Sequence, residues 1–212
     1  MSDQDTGMEP EETKSTTMMM SLVAFGEEEE QAELAGGIPE MLRISNTASY
    51  VSFFTGNGVR VDAHYLEEAE DWAPGYAQCA GDGCPACAAG LNRSRFLLLP
   101  VADRVDGKVK LLRVPAQKGP GKLLTEIMKI LGLENRDDVI AKITREGRFA
   151  YQVEPKPSPE LDPEIIRAVQ RFRERLDEGG IDLTDSVTRY SAEEMATHPE
   201  VAQRLHLEGA TK

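Results

Sequence analysis

The segment HYLEEAEDWAPGYAQCAGDGCPAC, residues 64–87, holds all three cysteines of the 212-residue chain. They are spaced as Cys79-x4-Cys84-x2-Cys87, and His64 lies fifteen positions before the first of them. Zinc prefers four tetrahedral ligands drawn from thiolate sulfur and imidazole nitrogen. Three thiolates and one histidine complete such a set without a water, which is typical of a structural site. The segment therefore predicts a structural Zn2+ held by His64, Cys79, Cys84 and Cys87.

Other interpretations of these residues stay open. A CxxC pair also occurs in thioredoxin-like redox proteins, although there it belongs to a βαβ unit and does not need a third cysteine such as Cys79. Free, oxidation-prone cysteines are a further alternative. The fourth ligand has rivals in His198 and His206, which lie in a distant helical segment. Asp82 is nearer but is a poorer partner in a thiolate-rich site, so His64 is the preferred ligand.

The net charge of −13 argues against a nucleic-acid partner, but the charge is unevenly distributed. Residues 1–40 carry one lysine against eleven acidic side chains, and residues 157–212 carry seven basic against twelve acidic. Residues 41–156 carry sixteen basic against fourteen acidic, and fourteen of those basic residues lie in 91–156. A basic region between two acidic arms is compatible with nucleic-acid binding.

Composition and patterning divide the chain into three parts. Residues 1–40 predict an acidic, mostly disordered N-terminal arm. Residues 41–156 predict a domain with a zinc-binding loop at 66–95, and residues 157–212 predict a helical, acidic C-terminal segment. No apolar run is long enough to span a bilayer, and the segment 18–25 lacks the basic start of a signal peptide. We therefore expect a cytoplasmic protein with reduced cysteines and no membrane partner.

The pattern of residues 41–156 predicts short strands around one helix. Strands are predicted at 48–54, 59–65, 96–102, 108–114, 136–143 and 148–153, the first two as a hairpin, and the last ended by Pro155 and Pro157. A helix is predicted over 119–133, with a core-facing stripe formed by Leu123, Leu124, Ile127, Met128 and Leu131. The predicted fold class is mainly β with flanking helices (α+β). The short strands with one helix between them favour a small closed, OB-like β-barrel.

Two further helices are predicted in the C-terminal segment. Asp162-Pro163 is a start signal for a helix to about residue 177, with an apolar stripe of Ile165, Ile166, Val169, Phe172 and Leu176. Ser191 and Glu194 fit a capping box at the start of a second helix.

Single-stranded nucleic acid is bound by cations that follow the phosphates and by aromatic rings that stack on the bases. The candidate cations are Arg60, Arg93, Arg95, Lys108, Lys110, Arg113, Lys118, Lys122, Arg145 and Arg148. The candidate aromatic residues are Tyr50, Phe54, Tyr65, Trp72, Tyr76 and Tyr151. For each aromatic residue taken alone, core packing is the commoner role.

Several of these pieces together resemble the zinc-containing single-stranded DNA-binding proteins of tailed bacteriophages, of the helix-destabilising type. They are the strand ending in His64, the Cys79…Cys84-Pro85-x-Cys87 cluster, the GKVKLLRV run at 107–114, and the RDDVIAKITREG…YxVxP run from 136 to 155. The resemblance covers residues 48–155. It implies an OB fold, a structural zinc in a loop, a basic cleft, and an acidic C-terminal arm that contacts replication proteins.

We therefore expect a non-enzymatic protein that coats single-stranded DNA during replication or recombination, with little sequence preference. The alternative is a zinc-stapled protein-interaction module that binds replication or transcription machinery, which the acidic arms suit. No nucleophilic triad, phosphate loop or paired-carboxylate motif supports an enzyme, and a cytidine-deaminase motif would need a glutamate where Leu66 stands.

Overall fold

The computed structural model describes residues 37–69, 74–133, 139–147, 150–158 and 162–209. Trp72, Arg148 and the predicted disorder of the N-terminal arm up to residue 36 fall outside these ranges. Within them the chain is a mixed α+β protein. The strands are β1 (Met41–Leu42), β2 (Ser49–Ser52), β3 (Val59–Leu66), β4 (Gly75–Gln78), β5 (Arg93–Asp103), β6 (Val109–Pro115), β7 (Val139–Arg145) and β8 (Tyr151–Pro157). The α-helices are α1 (Pro85–Ala88), α2 (Leu123–Leu131), α3 (Pro163–Asp177), α4 (Ala192–Thr197) and α5 (Pro199–Gly209), with a 3-10 turn at Leu183–Ser186 between α3 and α4.

The eight strands form one branched sheet around β5. Along one edge β5 pairs with β6, and along the other edge it pairs with β3 and then with β2, all antiparallel. From β2 the sheet continues to β7 and β8, from β3 it continues to β4, and β1 adds to β6 in parallel. In the described part of the chain the outermost strands do not pair with each other, so the sheet is open and the predicted closure into a barrel is not observed.

The hairpin predicted from the first two strands is wrong. β2 and β3 do not pair with each other but lie one after the other along the same edge of β5. The linking residues pass close to β5, because a Cβ atom on Gly58 would lie 3.0 Å from the carbonyl oxygen of Leu98. The turn residues located the break between the strands correctly, but the pairing depends on β5, which comes later in the chain.

The predicted zinc loop, residues 66–95, contains regular structure. β4 pairs antiparallel with β3, α1 starts at Pro85 directly after Cys84, and β5 already begins at Arg93. A four-residue strand and a four-residue helix are too short to produce a recognisable hydrophobic period. The sequence therefore indicated a long connection that must be held in place, but it did not reveal the short strand β4 and the short helix α1 inside that connection.

The main core lies between α2 and one face of β2, β5, β6 and β7. α2 contributes Leu123, Leu124, Ile127 and Ile130, which are all buried. Met128, predicted as a core residue, is 59% exposed instead. Met128 lies at the edge of the apolar face of the helix. The buried residues Leu123, Ile127 and Ile130, spaced three, four and seven positions apart, form the centre of that face.

β8 continues through the prolines that were expected to end it. Pro155 and Pro157 are both part of the strand, which pairs only with β7 in the described part of the chain. A proline lacks an N–H group, and at the edge of a sheet this group is not needed for a ladder.

The C-terminal segment packs on the sheet. α3 begins at the predicted cap, where the Asp162 carboxylate accepts a hydrogen bond from the Glu164 N–H at 2.8 Å. Its buried Phe172 joins Leu111 of β6 and Leu183 of the 3-10 turn in one cluster, whereas Ile166, predicted in the apolar stripe, is 40% exposed. The residues from Ile38 onward form one compact unit.

The connection after the 3-10 turn is bonded to β4. The Gln78 N–H donates to the Thr188 carbonyl at 2.8 Å, and the Gln78 side chain donates to the Thr184 carbonyl at 2.6 Å. The capping box predicted at Ser191 and Glu194 is confirmed, and it starts α4. Among the described helices, none has the length and apolar character needed to cross a membrane.

Candidate metal centre and the surface beside it

The four predicted ligands come together at one point. His64 lies near the end of β3, Cys79 follows β4 directly, and Cys84 and Cys87 lie at the start of α1. His64 is paired opposite Ala77 of β4, so the β3–β4 ladder places it beside the end of β4. The ligand atoms of the four side chains all lie within 4.8 Å of one another. This cluster could hold a metal ion such as zinc.

Two glycines let the backbone turn between the second ligand and the third. Gly81 has a φ of 78° and Gly83 a φ of 79°, which are left-handed values that favour glycine. The Cys84 N–H donates to the Gly81 carbonyl at 3.2 Å, which closes the turn. The Cys84-Pro85 step then starts α1 and brings Cys87 onto the same side as Cys84.

The distances fit a tetrahedral thiolate–imidazole centre. With metal–sulfur bonds of about 2.3 Å and a metal–nitrogen bond of about 2.0–2.1 Å, two sulfurs of a regular tetrahedron lie about 3.8 Å apart, and a sulfur and a nitrogen about 3.6 Å apart. The Cys79 and Cys87 sulfurs are 3.6 Å apart. The His64 Nε2 atom is 3.6 Å from the Cys84 sulfur and 3.4 Å from the Cys87 sulfur. The residues therefore have the right donors for zinc, and these three distances are close to those of a tetrahedral zinc site.

Burial keeps the histidine in the form that a metal needs. His64 is fully buried. Its pKa is below the usual value, chiefly because burial disfavours the charged ring, and the neighbouring Arg93 adds to this. The backbone at Asn92 and Leu91 opposes the shift without reversing it. A neutral imidazole at neutral pH is the form that coordinates a cation.

The cysteines crowd one another. Burial raises the pKa of Cys84, but hydrogen bonds from the backbone at Cys87, Ala80 and Ala86 outweigh it, so the pKa is lowered overall. Burial and the nearby thiols of Cys79 and Cys84 raise the pKa of Cys87 to about 11. Three adjacent thiolates repel one another, and a bound divalent cation would offset this repulsion.

The C-terminal helices cover the buried half of this centre. The Cys84 sulfur lies 3.6 Å from the Met195 sulfur of α4, and both side chains are buried. They belong to one apolar cluster with Leu66 of β3, Ala86 of α1 and Val201 of α5. This cover was not predicted from the sequence. The capping box located α4, but nothing in the sequence indicated what its buried methionine would contact.

The alternative ligands are not part of the cluster. His198 is buried, and its Nε2 atom donates to the Glu67 carbonyl at 3.2 Å, so it helps to hold the C-terminal helices against the end of β3. Neither His206 nor Asp82 belongs to a group of potential metal ligands within the described part of the chain. The geometry thus agrees with His64 as the fourth ligand.

A second feature lies on the opposite face of the β3–β4 ladder. Tyr65 and Tyr76 are paired across it, with ring centroids 5.3 Å apart, and Tyr76 also meets Phe96 at 5.4 Å. The Arg113 guanidinium lies 4.5 Å from the centre of the Tyr76 ring. Tyr65 is 50% exposed and Arg113 is exposed, whereas Phe96 is buried. We call Tyr65, Tyr76 and Arg113 the aromatic strip.

Several predicted nucleic-acid cations are already engaged with carboxylates. Arg95 makes a two-point contact with Asp62 at 2.7 and 3.3 Å, and this lowers the pKa of Asp62. Arg60 lies 3.8 Å from the same carboxylate. Lys110 contacts Asp103 at 2.9 Å and also Asp106.

The remaining predicted residues are spread over the molecule. Phe54 packs edge-to-face on Phe172, Tyr151 packs against the main core, and Tyr50 is 39% exposed on β2. Lys122 is half-buried at the start of α2. The other described cations are exposed and lie on separate elements: Arg93, Lys108, Lys118 and Arg145. Arg145 and Tyr151 are paired across the β7–β8 ladder, and Tyr65, Tyr76 and Arg113 form a larger group with two ring contacts.

The chain matches no family model, no curated protein and no solved structure.

Proposed function

We propose that the protein binds single-stranded DNA through the aromatic strip, with a structural zinc ion fixing the strands that present it. The single observation that carries the proposal is the pairing of two tyrosines on neighbouring strands with an arginine stacked on one of them. Aromatic faces stack on unpaired bases, and a guanidinium adds both a planar stacking surface and a charge for the phosphates.

The position of the strip links it to the metal centre. His64 and Tyr65 are consecutive residues of β3, so their side chains point to opposite faces of the strand. Cys79 directly follows β4, the strand that carries Tyr76. A metal bound to His64 and Cys79 would therefore fix the register of the two tyrosines without touching the nucleic acid. In this proposal zinc takes no part in chemistry, and the protein is not an enzyme.

The fold is compatible with this function. The antiparallel path runs from β6 through β5 and β2 to β7 and β8, with α2 inserted between β6 and β7, and this order supports the proposal of a partly open, OB-like arrangement. Barrels of this kind bind single strands across a strand face and the adjoining loops. The bacteriophage resemblance described above points to the same class, and replication or recombination proteins would be its protein partners.

The test is binding of the full chain to fluorescent oligo-dT, with Tyr65→Ala, Arg113→Ala and the matched control Tyr50→Ala. Each stacked base is worth about 1–3 kcal/mol, so Tyr65→Ala should weaken binding about 5- to 150-fold. Tyr50→Ala removes an exposed tyrosine from outside the strip and should change affinity less than about twofold.

The salt dependence and the controls separate the outcomes. The logarithm of affinity should fall with log salt, with a slope of about 0.7 per phosphate neutralised, and a matched duplex should bind more weakly. An unchanged affinity in Tyr65→Ala would exclude the strip as the site. If oligo-dT does not bind even at low salt, the protein is not a single-strand binder, and the zinc-stapled protein-interaction module becomes the working hypothesis.

That alternative has its own supporting observation. Tyrosine and arginine are also the residues that dominate protein–protein hot spots, and the net charge of −13 disfavours an anionic partner. A salt-insensitive complex with a protein partner, lost in Tyr65→Ala, would select it.

A further inference from the structure

The metal centre has a solvent-facing half and a buried half. Cys87 is exposed and Cys79 is partly exposed, and their sulfurs are 3.6 Å apart. His64 and Cys84 are buried, and Met195 covers the Cys84 sulfur at 3.6 Å. A small oxidant in solvent therefore reaches the first pair of ligands and not the second.

We propose that Cys79 and Cys87 are a peroxide-sensitive pair whose oxidation to a disulfide releases the metal ion. The proposal rests on the zinc ion of the proposed function but does not depend on nucleic-acid binding. Oxidation of cysteine is governed by thiolate character and solvent access, and metal coordination keeps a thiol ionised. In this centre solvent access separates Cys87 and Cys79 from the buried Cys84.

The chemistry balances with hydrogen peroxide as the oxidant. The Cys87 thiolate attacks one peroxide oxygen, the O–O bond breaks, and a sulfenic acid and a hydroxide ion form. The Cys79 thiolate then attacks the Cys87 sulfur, the S–S bond forms, and the sulfenic oxygen leaves as a second hydroxide. Two thiolates lose two electrons in total, peroxide gains them, and two protons convert the two hydroxides into water. The metal loses two of its four ligands and dissociates.

The geometry also predicts what remains folded. The new disulfide joins the end of β4 to α1, which are the two elements that the metal joined through Cys79 and Cys87. Cys79 packs against the edge of the buried apolar cluster around Met195, but the buried members of that cluster, Cys84 and Val201 among them, take no part in the new bond. Oxidation should therefore remove the metal without releasing the C-terminal helices.

The experiment treats the zinc-loaded full chain with hydrogen peroxide and follows three readouts: released zinc with a colorimetric chelator, the disulfide by peptide mapping, and helix content by circular dichroism. The expected result is one zinc ion released per disulfide, a Cys79–Cys87 linkage, and unchanged helix content. Alkylation of the untreated protein should label Cys87 before Cys84.

Cys87→His is the informative variant, because two thiolates and two imidazoles still form a zinc-binding set. It removes the exposed thiol and should slow zinc release by at least about tenfold, the factor that corresponds to about 1.4 kcal/mol. If this variant does not bind zinc, the disulfide mapped in the original chain tests the proposal instead. A linkage that includes Cys84, or zinc release without any disulfide, would overturn this proposal alone. A chain that binds no zinc would overturn it together with the metal centre.

Discussion

Replacing Met195 with alanine tests whether the C-terminal helices are part of the metal centre. Met195 is fully buried and lies 3.6 Å from the Cys84 sulfur. The substitution removes three heavy atoms beyond Cβ, which at about 0.8 kcal/mol per buried CH2-sized group amounts to about 2.4 kcal/mol of lost transfer free energy. The cavity left behind adds to this, and buried methionine-to-alanine changes cost about 2–5 kcal/mol. We therefore expect about 3 kcal/mol.

The assay is urea denaturation at a fixed free zinc concentration, with Met128→Ala as the control. Met128 is a methionine of similar helical context but is 59% exposed, so its replacement should change stability by less than about 0.5 kcal/mol. The Met195→Ala midpoint should fall without a change in the dependence on denaturant, because the native and unfolded surfaces are unaltered otherwise. Zinc transfer to a chelator should also become faster in Met195→Ala alone.

Equal effects of the two substitutions would contradict a stabilising contact between Met195 and Cys84. In that case the cluster around Cys84 would not depend on α4, and the C-terminal helices would not stabilise the metal centre.

Two further predictions concern the metal and an ion pair. Cys84→Ser should lower zinc content and stability together. At a free zinc concentration of about 100 times the dissociation constant, the lost stabilisation is about 2.7 kcal/mol. Metal analysis and thermal denaturation with and without zinc check this, and retention of a full zinc equivalent would contradict the ligand assignment. Lys110→Met should cost about 1–3 kcal/mol because it leaves the buried Asp103 carboxylate without its cation, measured by urea denaturation near neutral pH. Lys110 also contacts Asp106. Burial raises the pKa of Asp106, but the contacts with Lys110 and Lys108 outweigh it and lower the pKa overall, so the stabilisation from the Lys110–Asp106 pair is present above about pH 4 and is lost as the pH falls through the folded value. The original chain should therefore lose more stability in acid than Lys110→Met, and parallel pH curves would contradict this.

The ligands of the metal centre could be predicted from the sequence because spacing alone restricts them. Cys84 and Cys87 belong to one turn, and the strand with alternating residues that ends at Leu66 places His64 on its polar face. The positions of some strands were also predictable. β3 and β6 begin and end within about two residues of the ranges that the alternation of apolar and polar residues predicts.

Pairing and long-range packing could not be predicted in this way. The contact between Cys84 and Met195 joins residues 111 positions apart in the chain, and no local pattern at either end indicates the other. The same holds for the aromatic strip, in which Tyr65 and Tyr76 meet only because β4 forms inside a segment that looked like a loop. Among the predicted cations, sequence proximity did not reveal which carboxylates would neutralise them, as Asp62 does for Arg95.

Zinc K-edge X-ray absorption on the purified full chain, with metal content measured on the same sample, tests the metal centre itself. We expect one zinc per chain, with three sulfur neighbours at about 2.3 Å and one nitrogen at about 2.0–2.1 Å. A chain without a metal equivalent, or a zinc with fewer than three sulfur neighbours or with bound water, would contradict the assignment of His64, Cys79, Cys84 and Cys87 as a closed structural centre.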